Sequence, residues 1–395
     1  MKLFRLIAVF LLAGLPAAQA AEAPVLEKVV LLQRHGVRSP TKPPEAYAAY
    51  AGQAWPDWPV APGILTPHGR RDIQLLAGWL RSVYGGLLPA EACPAPSAVS
   101  VWADGGDERT RDSGQAFLDG AFPGCGLTAA HGPEGQVDPL FDGVSSGACP
   151  VDPAKAQQAL AEALKKAEAE QAPAIEAGKA ALAEVLNPPD RRFLQSADTA
   201  QIGKSGAKLE GPLAVSASLA ESLLLEYAQA MPPGQVGWGR ADAASLERIL
   251  PLHNIASSLT RRTPYLASHN GALLARAMLA RLRGRAALSV IAGHDTNLSN
   301  LAGIFGVNWV LPGQPDDTAP GTALAIELWR TAAGERIKLR VFYQSLEAMR
   351  AEAPAPYGAV AVEMPGCGPD GCSLDAFIRR VEKAVPADCG SVGQP

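Results

Sequence analysis

Val29-Val30-Leu31-Leu32-Gln33-Arg34-His35-Gly36-Val37-Arg38-Ser39-Pro40 is the stretch that decides the fold. Residues 26–33 are rich in valine and leucine and read as a buried strand. The run stops at Arg34, where charge and glycine replace it, and a proline-rich stretch follows over 40–62. Ligand sites in open α/β sheets lie beyond the carboxyl ends of strands. The charged residues after this strand therefore stand where such a sheet would hold chemistry.

Working outward, Thr66-Pro67 has the form of an N-cap and first-turn proline, and Ile73, Leu76, Leu80 and Val83 continue it as an amphipathic helix. Residues 99–103 predict a second strand, followed by a helix over 107–118. Residues 153–186 are dense in Ala, Glu, Lys and Gln, which favours helix, and Ala172-Pro173-Ala174 divides the stretch in two. Further helical patterns occupy 213–228 and 241–283. Strand character returns at 288–292 and ends at Gly293-His294-Asp295, where a helix to about 305 begins; 323–330 and 337–344 read as a hairpin around Ala332-Ala333-Gly334-Glu335. Strands and helices at both ends with a helical middle predict an α/β domain from 21–130 and 285–395, its central mixed sheet flanked by helices, interrupted by a smaller, mostly helical domain over 131–284.

Lys2 and Arg5, the apolar run 6–15 and Ala18-Gln19-Ala20 read as a signal peptide over 1–20, with a mature chain from Ala21 that is periplasmic or secreted. No later segment approaches twenty continuous apolar residues, so no membrane association is expected after the signal is removed. The formal charge is −4, or −6 once Lys2 and Arg5 are gone, and no long basic run is present. That excludes a general electrostatic footprint for nucleic acid, and an anionic ligand has to be held by a local cluster of cations. The chain is expected to act as a monomer on a small molecule.

Six cysteines in an exported chain predict three disulfides, out of fifteen complete pairings. Cys367 and Cys372 flank the turn Gly368-Pro369-Asp370-Gly371, and Cys93 and Cys125 bracket a strand-helix unit. Cys149 and Cys389 remain, and closing so long a loop contributes about 4–5 kcal/mol in the chain-entropy model. CxxC and HxxxH spacings are absent, so no metal is expected.

Three charged motifs directly follow three predicted strands: Arg34-His35-Gly36-Val37-Arg38, Asp107-Glu108-Arg109-Thr110-Arg111 and Gly293-His294-Asp295. One architectural rule lets all three converge. Together with Thr41-Lys42, Thr296-Asn297, Leu65-Thr66-Pro67, Met231-Pro232, Gly237-Trp238-Gly239-Arg240, Leu252-His253-Asn254 and the run from Leu311 to Asp316, they resemble the histidine acid phosphatase family. The similarity is to its bacterial periplasmic branch of phytases and glucose-1-phosphatases, and it extends across most of the mature chain.

The resemblance implies that His35 is the nucleophile and becomes a phosphohistidine, that Arg34, Arg38, Arg109 and His294 clamp the phosphate, and that Asp295 donates the proton to the leaving alkoxide. Arg111 is the alternative to Arg109 in its motif. The residue types suit this work. A neutral imidazole attacks an anionic phosphoryl group without charge repulsion, and guanidinium groups donate paired hydrogen bonds to it. With arginines supplying the charge, no cofactor is needed. A protonated aspartic acid favours operation at acid pH. Of the other histidines, His68 is expected exposed, His131 and His269 in loops, and His253 structural.

By the same resemblance Thr41 and Lys42 match phytate-contacting positions, Glu221 matches an acidic residue facing the pocket, and Thr296 follows the phytase pattern. Phytate (myo-inositol hexakisphosphate) is thus the expected phosphomonoester substrate, with glucose-1-phosphatase or broad sugar phosphatase activity the alternative. Two further alternatives are a phosphoglycerate mutase-like phosphotransferase, against which the signal and cysteines argue, and a non-enzymatic phosphate-binding protein.

Overall fold

The valine- and leucine-rich run forms β1, Val25–Arg34, the middle strand of a mixed eight-stranded sheet. The computed structural model describes residues 23–88, 93–204, 206–351 and 357–390; the expected signal segment and cleavage site lie outside them. On one side β1 pairs in parallel with β6 (Leu288–Gly293), then comes β2 (Val99–Ala103) and the two-residue β3 (Ala130–His131), all parallel. On the other side it pairs antiparallel with β7 (Ala323–Thr331), which forms a hairpin with β8 (Gly334–Gln344) through a two-residue loop. β9 (Tyr357–Val362) and β10 (Cys372–Ser373) line the far edge of β8.

β1 shows no polar alternation because helices cover both its faces. Val29 and Leu31 belong to one core with Ile73 and Leu76 of α1 (Pro67–Val83) and Phe117 of α2 (Glu108–Ala121). Val30 and Leu32 belong to the other, with Leu298 and Phe305 of α10 (Asp295–Phe305), Met278 of α9 (Ala272–Leu282) and Phe377 of α12 (Leu374–Ala384). Each buried side chain of this kind contributes about 1.5–3 kcal/mol.

The residues between the two sheet halves form α3 (Pro153–Glu170) and α4 (Ala172–Leu186), divided where Pro173 was expected to divide them, then α5 (Pro212–Ala228). The continuous helical pattern read over 241–283 is instead broken into α6 (Ala243–Ile249), α7 (Pro251–Ser257), a π turn (Ser258–Arg262), α8 (Pro264–Asn270) and α9. Pro251 and Pro264 lack the N–H that would continue a preceding helix, and each starts a new one. A hairpin of β4 (Thr199–Gly203) and β5 (Gly206–Glu210) was not anticipated from its short, polar strands. The structure pairs Cys93 with Cys125, Cys149 with Cys389 and Cys367 with Cys372. Among the described residues no helix is long and apolar enough to cross a membrane.

Thr66 caps α1 by accepting from the Gly69 amide at 2.9 Å. The chain after β1 then runs against this first turn so closely that two glycines are required. A Cβ on Gly36 would stand 2.5 Å from the Gly69 carbonyl oxygen, and one on Gly69 would stand 2.2 Å from that of Val37. Both obstacles are backbone, which cannot rotate away. Gly69→Ala is therefore expected to destabilise the protein by about 3 kcal/mol. Gly78→Ala in the same helix meets only the Gly120 carbonyl, at 3.4 Å, and is expected to be near neutral. Urea unfolding of the two variants checks the contrast; equal midpoints would contradict it.

His68, expected to be exposed, is buried on α1: its Nε2 is 2.7 Å from the Met349 carbonyl on α11 (Leu346–Ala351) and 3.3 Å from Asp72. The amphipathic pattern identifies the inward face of α1, but α11 comes from far along the chain to cover its start.

Candidate active site

Strand register assembles the site. Arg34 at the end of β1 lies opposite Gly293 at the end of β6, and Ala103 at the end of β2 lies opposite Ala292. The next residues of the three strands, His35, His294 and Asp104, consequently emerge side by side. The His35 amide donates to the Gly293 carbonyl at 2.9 Å, and that of Asp104 to the Ala292 carbonyl at 3.0 Å. The His35 and His294 rings meet edge to face with centroids 5.5 Å apart.

His35 is 2% exposed, and its Nδ1 lies 2.9 Å from the Gly36 carbonyl. A carbonyl only accepts, so Nδ1 carries the proton and Nε2 keeps a free lone pair. Burial, then the charges of Arg34, Arg109, His294 and Arg38, hold this imidazole well below its ordinary pKa. The neutral form of His35 is therefore favoured.

The arginines are held in place before any ligand arrives. Arg34 is fully buried, donating to the Thr318 carbonyl (2.6 Å), to Asp316 (3.3 Å) and to Glu221. Burial opposes its charge, but Asp295, Glu221 and Asp316 more than offset this and raise its pKa. Arg38 donates to Glu221 at 3.1 Å and to the Ser39 carbonyl at 3.0 Å. Arg109 is held two-pronged by Asp107, at 2.9 and 2.7 Å. The Nε–H groups of Arg34, Arg38 and Arg109 are buried and have no hydrogen-bond partner among the described residues. Buried donors left unmade cost about 1–3 kcal/mol each, more when charged, and the oxygens of an anion would satisfy them.

His35, Arg38, Arg109, His294 and Asp295 line a cavity of about 550 Å³, together with Thr41, Glu221 and Thr296. Of the residues expected at the site, two do not line this cavity: Arg34, fully buried behind it, and Lys42, which is exposed; the Pro43-Pro44 step after Lys42 starts a 3₁₀ turn, Pro44–Tyr50. Glu221 does face the cavity, but as the shared carboxylate of Arg34 and Arg38. Burial would raise its pKa, yet Arg38 and Arg34 bring it down to about 2, so it is a permanent anion that positions guanidinium groups. Arg111 bonds to the Gly105 carbonyl at 2.7 Å and faces Glu134, leaving Arg109 as the cavity arginine of its motif.

Three residues at the site were not anticipated in these roles. Asp104 accepts from His294 Nε2 at 2.8 Å and sets that ring. His253, on α7, is buried with Glu221 and Asp295 around it. Arg261, in the π turn, forms an ion pair with Asp295. Two groups of His and carboxylate ligand atoms gather here, Asp104–Asp107–His294 and Glu221–His253–Asp295. In both, carboxylates are already engaged by arginine, which opposes a competing cation. His269 lies in α8 rather than in a loop, and His131 sits on the exposed edge strand β3.

For a proton donor, Asp295 has an unexpected charge state. Burial would push its carboxyl up, but Arg261, Arg34 and His253 outweigh burial and hold it well below the usual carboxylate range. In the free protein the group is ionised.

A family model described as the histidine phosphatase superfamily (branch 2) matches residues 25–344. Phytase AppA of Escherichia coli is 34% identical, the alignment covering 94% of each chain. A glucose-1-phosphatase of Salmonella typhimurium is 28% identical over 94% of this chain and 95% of its own. The structure of Hafnia alvei phytase in complex with myo-inositol hexakis sulphate superposes with a TM-score of 0.87 at 37% identity, covering 93% of this chain and 99% of that one.

Proposed function

The chain belongs to the histidine phosphatase superfamily (branch 2), and we propose that it is a phytase-like acid phosphatase acting through a phosphohistidine at His35. The observation that carries the reading is a buried imidazole with its Nδ1 fixed and its neutral form favoured, beside three arginines whose Nε–H groups have no acceptor among the described residues. A phosphomonoester supplies both missing partners, a phosphorus for the lone pair and oxygens for the donors.

In the first step Nε2 of His35 bonds to phosphorus as the ester P–O bond breaks, and Asp295 gives its proton to the departing oxygen. Arg34, Arg38, Arg109 and His294 stabilise charge on the three phosphoryl oxygens. In the second step a water attacks the phosphohistidine, its proton returns to Asp295, and inorganic phosphate leaves with His35 neutral again. The arginines take the place a metal fills in other phosphatases.

Phytate is the substrate that the similarity to phytases favours; the Salmonella relative keeps glucose 1-phosphate as the second reading. The protein is proposed to act as a monomer in the periplasm or outside the cell. Phosphate release from phytate and from glucose 1-phosphate at acid pH, with a chelator present, tests the reading. Release from phytate at equal or greater kcat/KM, unaffected by chelator, is the expected result. No release from either ester rejects it, and preference for glucose 1-phosphate selects the second reading.

A further inference from the structure

The other arginines at the site are paired with carboxylates that the reaction does not use as its acid: Arg34 with Asp316 and Glu221, Arg38 with Glu221, and Arg109 with Asp107. Among the described residues, Arg261 alone forms an ion pair with the acid that the reaction needs protonated. Its surroundings are also different. Arg34 is fully buried and bonded to several elements, whereas the Arg261 side chain is 31% exposed and its guanidinium donates to Asp295. The backbone beneath it is anchored, its carbonyl accepting from Asn300 Nδ2 at 2.9 Å. It is a fixed pivot carrying a movable charge.

The room for movement is adjacent. A second chamber of about 430 Å³ shares Asp142, Glu221, Arg261 and Thr296 with the cavity that holds His35. Its wall brings Lys208 of the β4–β5 hairpin, paired there with Glu210, together with His253, Ser257 and Thr260, beside the carboxylates of Asp142 and Glu221, so it offers polar partners to whatever extends from the first cavity.

We propose that Arg261 reads a second phosphate on the substrate: it pairs with Asp295 in the free protein and turns to the second phosphate when a polyphosphorylated substrate binds, so that the proton donor is released for such substrates. The inference rests on the phosphatase reading above. A monophosphate ester offers nothing in the second chamber and leaves Arg261 on Asp295. With a polyphosphate, Asp295 loses its strongest ionic partner, takes up a proton from solvent, and passes it to the leaving oxygen as the P–O bond breaks. The other groups facing Asp295 remain as they were: Arg34 from the end of β1, Arg109 from α2, His253 from α7 and Glu221 from α5. The change in charge at the acid is therefore Arg261's alone.

The sign of the pH effect follows. The first step needs protonated Asp295, so rate falls as pH rises through the pKa of that group. Removing the Arg261 charge raises the pKa and should carry the alkaline limb for a monophosphate to higher pH by about one unit. For phytate the same change removes a charged contact and should raise KM by about tenfold. Steady-state pH profiles of the wild type, Arg261→Gln and Arg261→Lys on glucose 1-phosphate and phytate test both effects. Arg261→Gln should move the glucose 1-phosphate limb upward with KM for that ester within about twofold of wild type, and raise KM for phytate; Arg261→Lys should stay near wild type in both. Equal losses on the two substrates with an unmoved limb, or a moved limb with unchanged KM for phytate, would overturn the inference while leaving an active wild type as a phosphatase. A wild type inert on both esters would overturn both readings.

Discussion

Alanine in place of His35 is expected to lower kcat for every phosphomonoester by on the order of 10⁴–10⁶, the range seen when an enzyme loses its nucleophile. The size of the effect follows from the surroundings of the ring. Its Nδ1 is tied to the Gly36 carbonyl, so the lone pair is on Nε2, and burial beside Arg34, Arg109 and Arg38 disfavours its protonation. No neighbour can take over: His294 Nε2 is engaged by Asp104, and His253 lies with Glu221 and Asp295. The arginine clamp would survive the substitution, so substrate should still bind while no phosphoryl group is transferred. Phosphate release, together with acid quenching and detection of protein-bound, acid-labile phosphate, gives the check. Substantial turnover by the alanine variant would remove His35 from the mechanism.

Asp295→Asn should produce the second large loss, and one graded by the leaving group. A sugar or inositol alkoxide is a strong base and departs only with a proton, so its hydrolysis should fall by about 10²–10⁴. A p-nitrophenolate leaves without one, and p-nitrophenyl phosphate should lose less than about tenfold. Asparagine keeps the size of the side chain and removes the transferable proton. The comparison therefore isolates proton transfer from packing, and equal losses on the two kinds of ester would count against a donor role.

The parts of this site that could be read from the chain are those set by strand ends. The segments beginning at Arg34 and His294 follow apolar runs of obvious strand character, and parallel pairing in register brings them together. Asp104, at the end of β2, had no role assigned to it, and the other two residues that were missed, His253 and Arg261, come from the helical middle. Periodicity over 241–283 identifies which faces are apolar, but not that Pro251 and Pro264 cut the run or that residues 258–262 form a π turn. Arg261 looks like a solvated helix charge until the segment is seen against α10, where it meets Asp295. Glu221 was placed at the pocket, yet its function as the shared anion of two arginines depends on how α5 docks on the end of β1, which no local pattern encodes. Lys42, matched to a substrate contact by resemblance, is exposed and directly follows Thr41 of the cavity wall.

The central place of β1 sets the order in which this molecule can be completed. The strand that delivers His35 is early in the chain, but its two sheet neighbours are residues 288–293 and 323–331. During synthesis or passage through a membrane channel, β1 has neither neighbour until most of the chain has followed it. The helical middle, rich in local contacts, has no such wait. A long apolar strand with both edges open is prone to wrong pairing, so the interval before residue 331 arrives is when the polypeptide most needs protection from its own kind. The nucleophile's strand is thus among the first parts made and among the last secured.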